Sequence, residues 1–103
     1  MSYSRRCIVS SEHPMLAGHF PGNPIVPGAW LLAWIVAGAN EHLRNQNDDR
    51  RVTGARRVKF LRPLAPGQPA ECEFVATADA LRFTLTHDSD VIASGALTLQ
   101  STV

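Results

Sequence analysis

Residues 18–28 read GHFPGNPIVPG, and this segment decides how the rest of the chain is interpreted. It places His19 among three prolines and three glycines, so we expect the imidazole on a stiff, sharply turned backbone. Pro27 suits the first turn of a helix, where no N–H is needed, and an apolar run follows over 29–39. The segment therefore predicts a loop histidine held directly before a helix.

The run over 29–39, AWLLAWIVAGA, is apolar on every side, which is typical of a helix surrounded by protein. Its eleven residues are too few to cross a bilayer, which takes about 20. The helix turns polar at 40–42, and NQNDDRR over 45–51 is predicted to be an exposed loop. Residues 1–13 lack the apolar run of a signal peptide. We therefore expect a soluble protein.

The strands are predicted from apolar and polar residues that alternate with period two, as Val58 and Phe60 do with Lys59. The candidate strands cover residues 5–10, 54–62, 70–78, 81–87 and 91–99. Asp88-Ser89-Asp90 is a plausible hairpin turn between the last two. One buried helix followed by consecutive antiparallel strands predicts an α+β fold in which the sheet wraps the helix. We expect one domain over 1–103.

Composition excludes several classes of protein. The formal charge of +1 argues against a general nucleic-acid or membrane-surface binder. Cys7 and Cys72 are too few for a disulfide framework or a metal site, so a reduced, cytoplasmic compartment is expected and packing is their predicted role. At 103 residues the chain buries a modest fraction of its surface, which favours oligomerisation. No phosphate-binding loop or nucleophile motif is present, and we expect no metal and no cofactor.

Three segments together resemble one known family. GHFPGNPIVPG, the preceding His13-Pro14 and VKFLRPLAPG over 58–67 are similar to the hotdog-fold 3-hydroxyacyl-acyl carrier protein dehydratases of the FabA/FabZ type. Among them, the chain looks nearest to the short ApeI-like dehydratases of aryl polyene pathways. The resemblance implies the hotdog fold, an antiparallel β-sheet wrapped around one long central helix, and dimerisation through the sheets.

The resemblance also implies roles for individual residues. His19 matches the family's catalytic base, which takes a proton from the carbon beside a thioester carbonyl. Gly28 matches the glycine whose N–H, at the positive end of the helix, holds the thioester oxygen as negative charge builds on it. Phe20 and Pro27 are expected beside the substrate. The alternatives are a histidine that only bonds the backbone and a glycine that only allows a tight turn.

Ala33 departs from the family pattern. The family's acid lies fourteen residues after the histidine, and that position is Ala33 here, so the group that would protonate the leaving hydroxyl is missing. Glu41 lies eight residues further on, roughly 12 Å along a straight helix, which is too far to replace it unless the helix bends. Glu12 and His13 could reach the site only if their loop folds back.

Two tryptophans lie near Ala33 in the sequence, where the chain departs from the family pattern. Trp30, Ala33, Trp34 and Ala37 share one helix face, because they are spaced three and four residues apart. The indoles are therefore candidates to narrow the acyl site around Ala33 or to stack on a flat acyl chain. The alternative is that they only pack in the core or in a dimer.

Basic residues are concentrated in one stretch, with six of the ten between 50 and 62. Arg56, Arg57 and Lys59 are candidates to bind an acidic acyl carrier protein, since charge complementarity accelerates and orients such encounters. The alternative is a solvated rim with no partner.

The resemblance thus implies a lyase that removes water from a carrier-bound 3-hydroxyacyl thioester to give the trans-2-enoyl form. The first alternative is a catalytically incomplete partner or acyl-binding subunit, in a heterodimer rather than a homodimer. The second is a hotdog thioesterase, which is weaker because no carboxylate is evident near the helix.

Overall fold

A computed structural model of the chain describes residues 2–8 and 25–101. The elements in chain order are β1 (Ser2–Cys7), α1 (Gly28–Asn45), β2 (Arg50–Phe60), β3 (Ala70–Ala76), β4 (Ala80–His87) and β5 (Asp90–Ser101). The strands form one sheet in the order β1-β3-β4-β5-β2, and every neighbouring pair is antiparallel. The predicted α+β layout of a long helix with an antiparallel sheet is confirmed.

The core lies between α1 and one face of the sheet. In β3, Cys72 and Phe74 are buried whereas Glu71 and Glu73 are exposed, as period-two alternation requires. The helix contributes a stripe of buried residues at four-residue spacing, namely Leu31, Ile35, Ala39 and Leu43. These side chains, except Leu43, belong to the same cluster as the buried residues of the strands. The sheet therefore presents a dry inner face to the helix and a polar outer face.

The helix differs from its prediction in two ways. It continues to Asn45, because Leu43 is buried and extends the apolar stripe by another turn. The sequence also predicted a helix surrounded by protein on every side. In the single chain one side of the helix is exposed, along a stripe formed by Ala29, Ala33 and Ala37. No helix in the described ranges is long and apolar enough to span a membrane.

Two strand boundaries also differ. β1 begins at Ser2 and ends at Cys7, rather than covering 5–10, because its pairing with β3 runs from Ser2–Val75 to Cys7–Ala70. β2 begins at Arg50, inside the segment predicted to be a loop. Arg50 and Arg51 pair with Ser101 and Gln100, so β5 extends the sheet into this segment.

The predicted hairpin turn is confirmed between β4 and β5. Asp88 and Ser89 have φ values of 49° and 68°, and the flanking His87 pairs with Asp90. Two consecutive left-handed residues define the type I′ turn, whose twist matches that of the strands it joins.

Strand β2 contains a β-bulge that shapes its outer surface. Its register against β5 shifts between Arg56 and Lys59, and Arg57 within the bulge has φ 57°. Glycine on β5 leaves room for the bulge, because a Cβ at Gly95 would lie 3.1 Å from the Cα of Val58. The insertion leaves consecutive arginines at the sheet edge.

Candidate functional site

Gly28 is the first residue of α1, as the sequence predicts. Pro27 is the N-cap, its carbonyl accepts a hydrogen bond of 3.1 Å from the N–H of Leu31, and its ring offers no side-chain cap. The first turn carries no acidic side chain. The first N–H groups of a helix have no intrahelical acceptor, so this end presents donors at the positive end of the dipole. It suits a carbonyl oxygen that gains negative charge.

An apolar cavity of about 360 Å³ opens beside Gly28. Its walls come from the start of α1 and from the segment after β2, namely Ile25, Val26, Leu31, Phe60, Leu61 and Leu64. The N–H of Val26 donates to the carbonyl of Leu64 at 2.8 Å and ties the two segments together. Phe60 and Leu61 are 48% and 57% exposed, which leaves an apolar surface at the mouth. The cavity can take an apolar chain next to the helix N-terminus.

The ring of Phe60 lies directly against the start of the helix. A Cβ built on Gly28 would be 3.2 to 3.4 Å from three carbons of this ring. Such a distance is tighter than ordinary van der Waals contact, so glycine is what lets the ring approach the backbone. The Gly28 backbone and the Phe60 ring therefore form one wall of the cavity together.

The other residues predicted to bind substrate or to act in catalysis either lie outside the described residues or do not line this cavity. His19 and Phe20, like Glu12 and His13, lie outside the described residues. Pro27 is half-buried at the N-cap. Trp30 and Trp34 are half-buried against the core and do not line the apolar cavity, and neither does Ala33, which is exposed. The acyl-binding role of these three residues stays a prediction.

Trp34 is held by a residue that the sequence did not single out. The guanidinium carbon of Arg5 lies 4.7 Å from the centre of the Trp34 ring, within the range of a cation–π contact. Arg5 Nη1 is 3.8 Å from Glu41 Oε2 and, among the described residues, has no hydrogen-bond partner. Gly38 leaves room for it, since a Cβ there would lie 2.5 Å from Arg5 Nη1. Glu41 thus faces Arg5.

The predicted carrier-binding residues lie on the edge strand β2, all exposed. Arg56 and Arg57 line a polar cavity of about 490 Å³ that is separate from the apolar one. Lys59 lines neither cavity. Arg62 lines the apolar cavity and places a cation at its edge.

The two cysteines are free and buried, as the packing role predicted. Burial raises the pKa of the Cys72 thiol to about 12 and also raises the pKa of Cys7. Both thiols are therefore neutral near pH 7, and a neutral thiol is a poor nucleophile. Neither residue suits covalent catalysis.

Sequence reasoning missed Phe60 as a wall of the apolar cavity and Arg5 as the partner of Trp34. A signal existed for Phe60, because it lies in the VKFLRPLAPG segment that carries the resemblance. For Arg5 there was none, since its contact with Trp34 depends on the packing of β1 against α1.

The family model described as ApeI-like, ApeI dehydratase, matches residues 2–96. This chain belongs to the ApeI-like dehydratase family. The resemblance drawn from the three sequence segments is thereby confirmed, and it covers nearly the whole chain.

Sequence relatives include FabZ, the 3-hydroxyacyl-acyl-carrier-protein dehydratase. The protein from Chlamydia trachomatis serovar L2 is 32% identical over 100 residues, which cover 86% of this chain and 65% of the relative. The one from Acetivibrio thermocellus is 34% identical over 96 residues, covering 84% and 66%. The one from Alkaliphilus metalliredigens is 36% identical over 77 residues, covering 68% and 50%. The chain thus spans between half and two thirds of the length of these relatives.

Solved structures confirm the hotdog fold. The dehydratase heterocomplex ApeI:P from Xenorhabdus doucetiae superposes with a TM-score of 0.75 at 20% identity, covering 95% of this chain and 86% of that chain. An acyl-CoA hydrolase from Staphylococcus aureus gives 0.71 at 18% identity, covering 97% and 62%. Because both identities are low, these likenesses establish the fold alone.

Proposed function

We propose that the protein dehydrates a 3-hydroxyacyl thioester carried by an acyl carrier protein, in fatty acid or polyene and polyketide biosynthesis. A base removes a proton from C2, the C2–C3 double bond forms, and the C3 hydroxyl leaves with a proton as water. The products are the trans-2-enoyl thioester and water. His19 is the proposed base, and the Gly28 N–H is the proposed donor to the thioester oxygen.

The observation that carries this proposal is the apolar cavity at Gly28. A helix start without an acidic side chain lies beside a cavity of about 360 Å³ with apolar walls. Elimination needs both features, since an acyl chain needs a dry surface and the enolate oxygen needs a fixed donor. Membership in the ApeI-like family and the similarity to FabZ support dehydration over thioester hydrolysis.

The test replaces His19, with a second histidine as the control. In the form that shows dehydration, whether the protein alone or the protein with an acid-bearing hotdog partner, His19→Ala should lower the rate on a carrier-bound 3-hydroxyacyl thioester by about 10²–10⁴, the usual effect of losing a positioned base. His87, which bonds the Pro69 carbonyl at 2.6 Å, does not line the apolar cavity, so His87→Gln should not lower the rate. Equal rates for the His19 and His87 variants would remove His19 from the mechanism.

A second candidate function is favoured by Ala33. Its side chain is a methyl group on an exposed helix face, so nothing at this position can protonate the leaving hydroxyl. The chain would then be a partner or acyl-binding subunit that works with a different, acid-bearing hotdog chain. It would contribute His19 and Gly28, and the relative would contribute the acid. In this second candidate function the elimination chemistry is the same, but it needs two different hotdog chains.

We further propose that Arg56, Arg57 and Lys59 bind the carrier protein. They are exposed on one edge strand, where long-range attraction to an acidic surface accelerates association. Arg56→Glu with Arg57→Glu should slow association and weaken its salt dependence, with little change toward a small thioester analogue. An unchanged association rate would favour the solvated rim.

Two free buried thiols suit the proposed cytoplasmic location.

A further inference from the structure

The outer face of the sheet brings two arginines to opposite sides of one small residue. Ala96 on β5 pairs with Arg56 on β2 and with Arg82 on β4. Directly opposed residues of antiparallel strands point to the same face, and Leu97, one position further along β5, is fully buried on the inner face. The three side chains at Ala96, Arg56 and Arg82 therefore lie together on the outer face. Two pairings of about 5 Å each set the arginine Cα atoms about 10 Å apart.

The next outward row supplies hydroxyl groups. Ser94 on β5 pairs with Thr84 on β4, and both line the same cavity of about 490 Å³ as Arg56 and Arg82. Because Ala96 carries only a methyl group, its side chain leaves the space between the two arginines unfilled. The cavity thus combines guanidinium donors with hydroxyl donors around a space that the sequence leaves unfilled.

The charge in this cavity is unbalanced. Arg56, Arg57 and Arg82 line it, and Asp79 is the acidic residue among the lining residues. Asp79 Oδ2 lies 4.0 Å from Arg56 Nη2, and its side chain is 81% exposed. Such a long, exposed ion pair is weak, so it competes little with a ligand.

Backbone strain supports a role for the third arginine. Arg57 has φ 57°, a conformation that costs an ordinary residue about 1–2 kcal/mol and that glycine adopts freely. A bulge with a left-handed first position favours glycine there. A residue held in such a conformation motivates a hypothesis of function, which the position of its side chain then has to support. Its side chain lines the cavity together with Arg56 and Arg82.

We propose that this outer-face cavity, defined by Arg56, Arg57, Arg82, Thr84 and Ser94, binds a phosphate group. Guanidinium groups match phosphate oxygens in paired hydrogen bonds, and flanking hydroxyls donate to the remaining oxygen. The cavity shares no lining residue with the apolar cavity at Gly28. Binding can therefore be measured without turnover, and its failure would leave the proposed dehydration untouched.

The experiment compares three probes with the full chain: inorganic phosphate, phosphopantetheine and pantetheine, which lacks the phosphate. Affinities are measured by calorimetry at fixed ionic strength for the wild type, Arg82→Gln and Arg44→Gln. Arg44 is an exposed arginine of α1 outside the cavity, so its variant controls for net charge. We expect Arg82→Gln to weaken phosphate binding about tenfold or more, and Arg44→Gln to leave it nearly unchanged.

The probes also identify the source of the phosphate. Tighter binding of phosphopantetheine than of pantetheine, lost in Arg82→Gln, would assign the cavity to the prosthetic arm of a carrier. Inorganic phosphate binding that depends on Arg82, without that difference, would assign it to a free phosphate compound. Arg57→Gly relieves the left-handed backbone, so weaker binding by this variant would not reflect unfolding. Equal affinities for Arg82→Gln and Arg44→Gln, or no phosphate binding by the wild type, would overturn the proposal.

Discussion

The ring of Phe60 occupies the space that a side chain on Gly28 would need. A Cβ at residue 28 would lie 3.2 Å from the Phe60 Cζ atom, so the two positions are coupled through one contact. The ring comes from the end of β2 and the glycine from the start of α1, and the contact therefore joins the sheet to the helix N-terminus. The ring therefore borders the helix N-terminus that we propose as the donor to the thioester oxygen.

This coupling makes Gly28→Ala a sharp test. The variant keeps the N–H but pushes the Phe60 ring away by a few tenths of an ångström. In the form of the protein that shows dehydration, alone or with an acid-bearing partner, we expect the rate to fall about tenfold, since small misplacements are costly. Phe60→Leu in the same background removes the crowding ring and should restore the rate toward that of Phe60→Leu alone. Rates of the two single variants and the double variant on a carrier-bound substrate measure the coupling. An additive double variant would contradict it.

The bulge in β2 should be sensitive to Gly95. A Cβ there would lie 2.9 Å from Phe83 Cε2 and 3.1 Å from the Val58 Cα, and a backbone atom cannot move aside cheaply. We expect Gly95→Ala to lower the free energy of unfolding by about 1–3 kcal/mol, the usual cost of overpacking. Denaturant unfolding measures the difference. The control is Ala96→Ser, which changes the neighbouring, outward-facing position and should cost much less. Gly67→Ala would not serve as a control, because φ at Gly67 is 86° and alanine would be strained there.

The link between α1 and β2 should depend on pH. Asp48 accepts hydrogen bonds from the Arg50 N–H at 2.9 Å and from its guanidinium at 2.8 and 3.0 Å, and these bonds lower the Asp48 pKa to about 2. Because the folded pKa lies below the ordinary value of 3.8, this stabilisation is present above pH 3.8 and is lost as the pH falls toward 2.

We expect Asp48→Asn to cost up to about 1 kcal/mol at pH 6, since the pair is partly exposed, and progressively less toward pH 2. Free energies of unfolding of both proteins between pH 6 and pH 2 give the comparison. Glu71→Gln, on the exposed face of β3, is the control and should show a smaller difference. If the free-energy cost of Asp48→Asn does not change with pH, the ionisation of Asp48 is not its cause.

Local patterns predicted the parts of the fold that depend on local physics. The Asp88-Ser89 turn follows from residue types that tolerate positive φ, and the buried rows of β3 and β4 follow from alternation. The start of α1 at Gly28 follows from Pro27. These features need only a few consecutive residues, so the sequence is sufficient for them.

The features that sequence reasoning missed depend on strand register or on packing between distant segments. The bulge at Arg57 exists because β2 and β5 pair with one extra residue on β2, and Gly95 makes that possible. The stacking of Arg5 on Trp34 requires β1 to lie beneath α1. Neither relationship has a local signature, since each depends on which strands become neighbours.

The last prediction concerns the missing acid at Ala33. The resemblance implies a site at the dimer interface, with the histidine of one chain facing the acid of the other, so a homodimer of this chain would hold two histidines and no acid there. Ala33 is exposed in the single chain. We therefore expect the purified protein alone to dehydrate a carrier-bound substrate weakly or not at all.

Activity should appear when an acid-bearing hotdog relative is added, or in Ala33→Glu or Ala33→Asp. The expected gain is about 10²–10⁴ in rate, which is what a positioned general acid contributes. Ala37→Glu, one helical turn away on the same exposed stripe, is the matched control because it adds the same charge where no acid is expected. Strong activity of the wild-type protein alone would contradict the prediction, and it would point to Glu12, Glu41 or a bound water as the proton donor. Equal gains from Ala33→Glu and Ala37→Glu would show that added negative charge, rather than an acid at position 33, raises the rate.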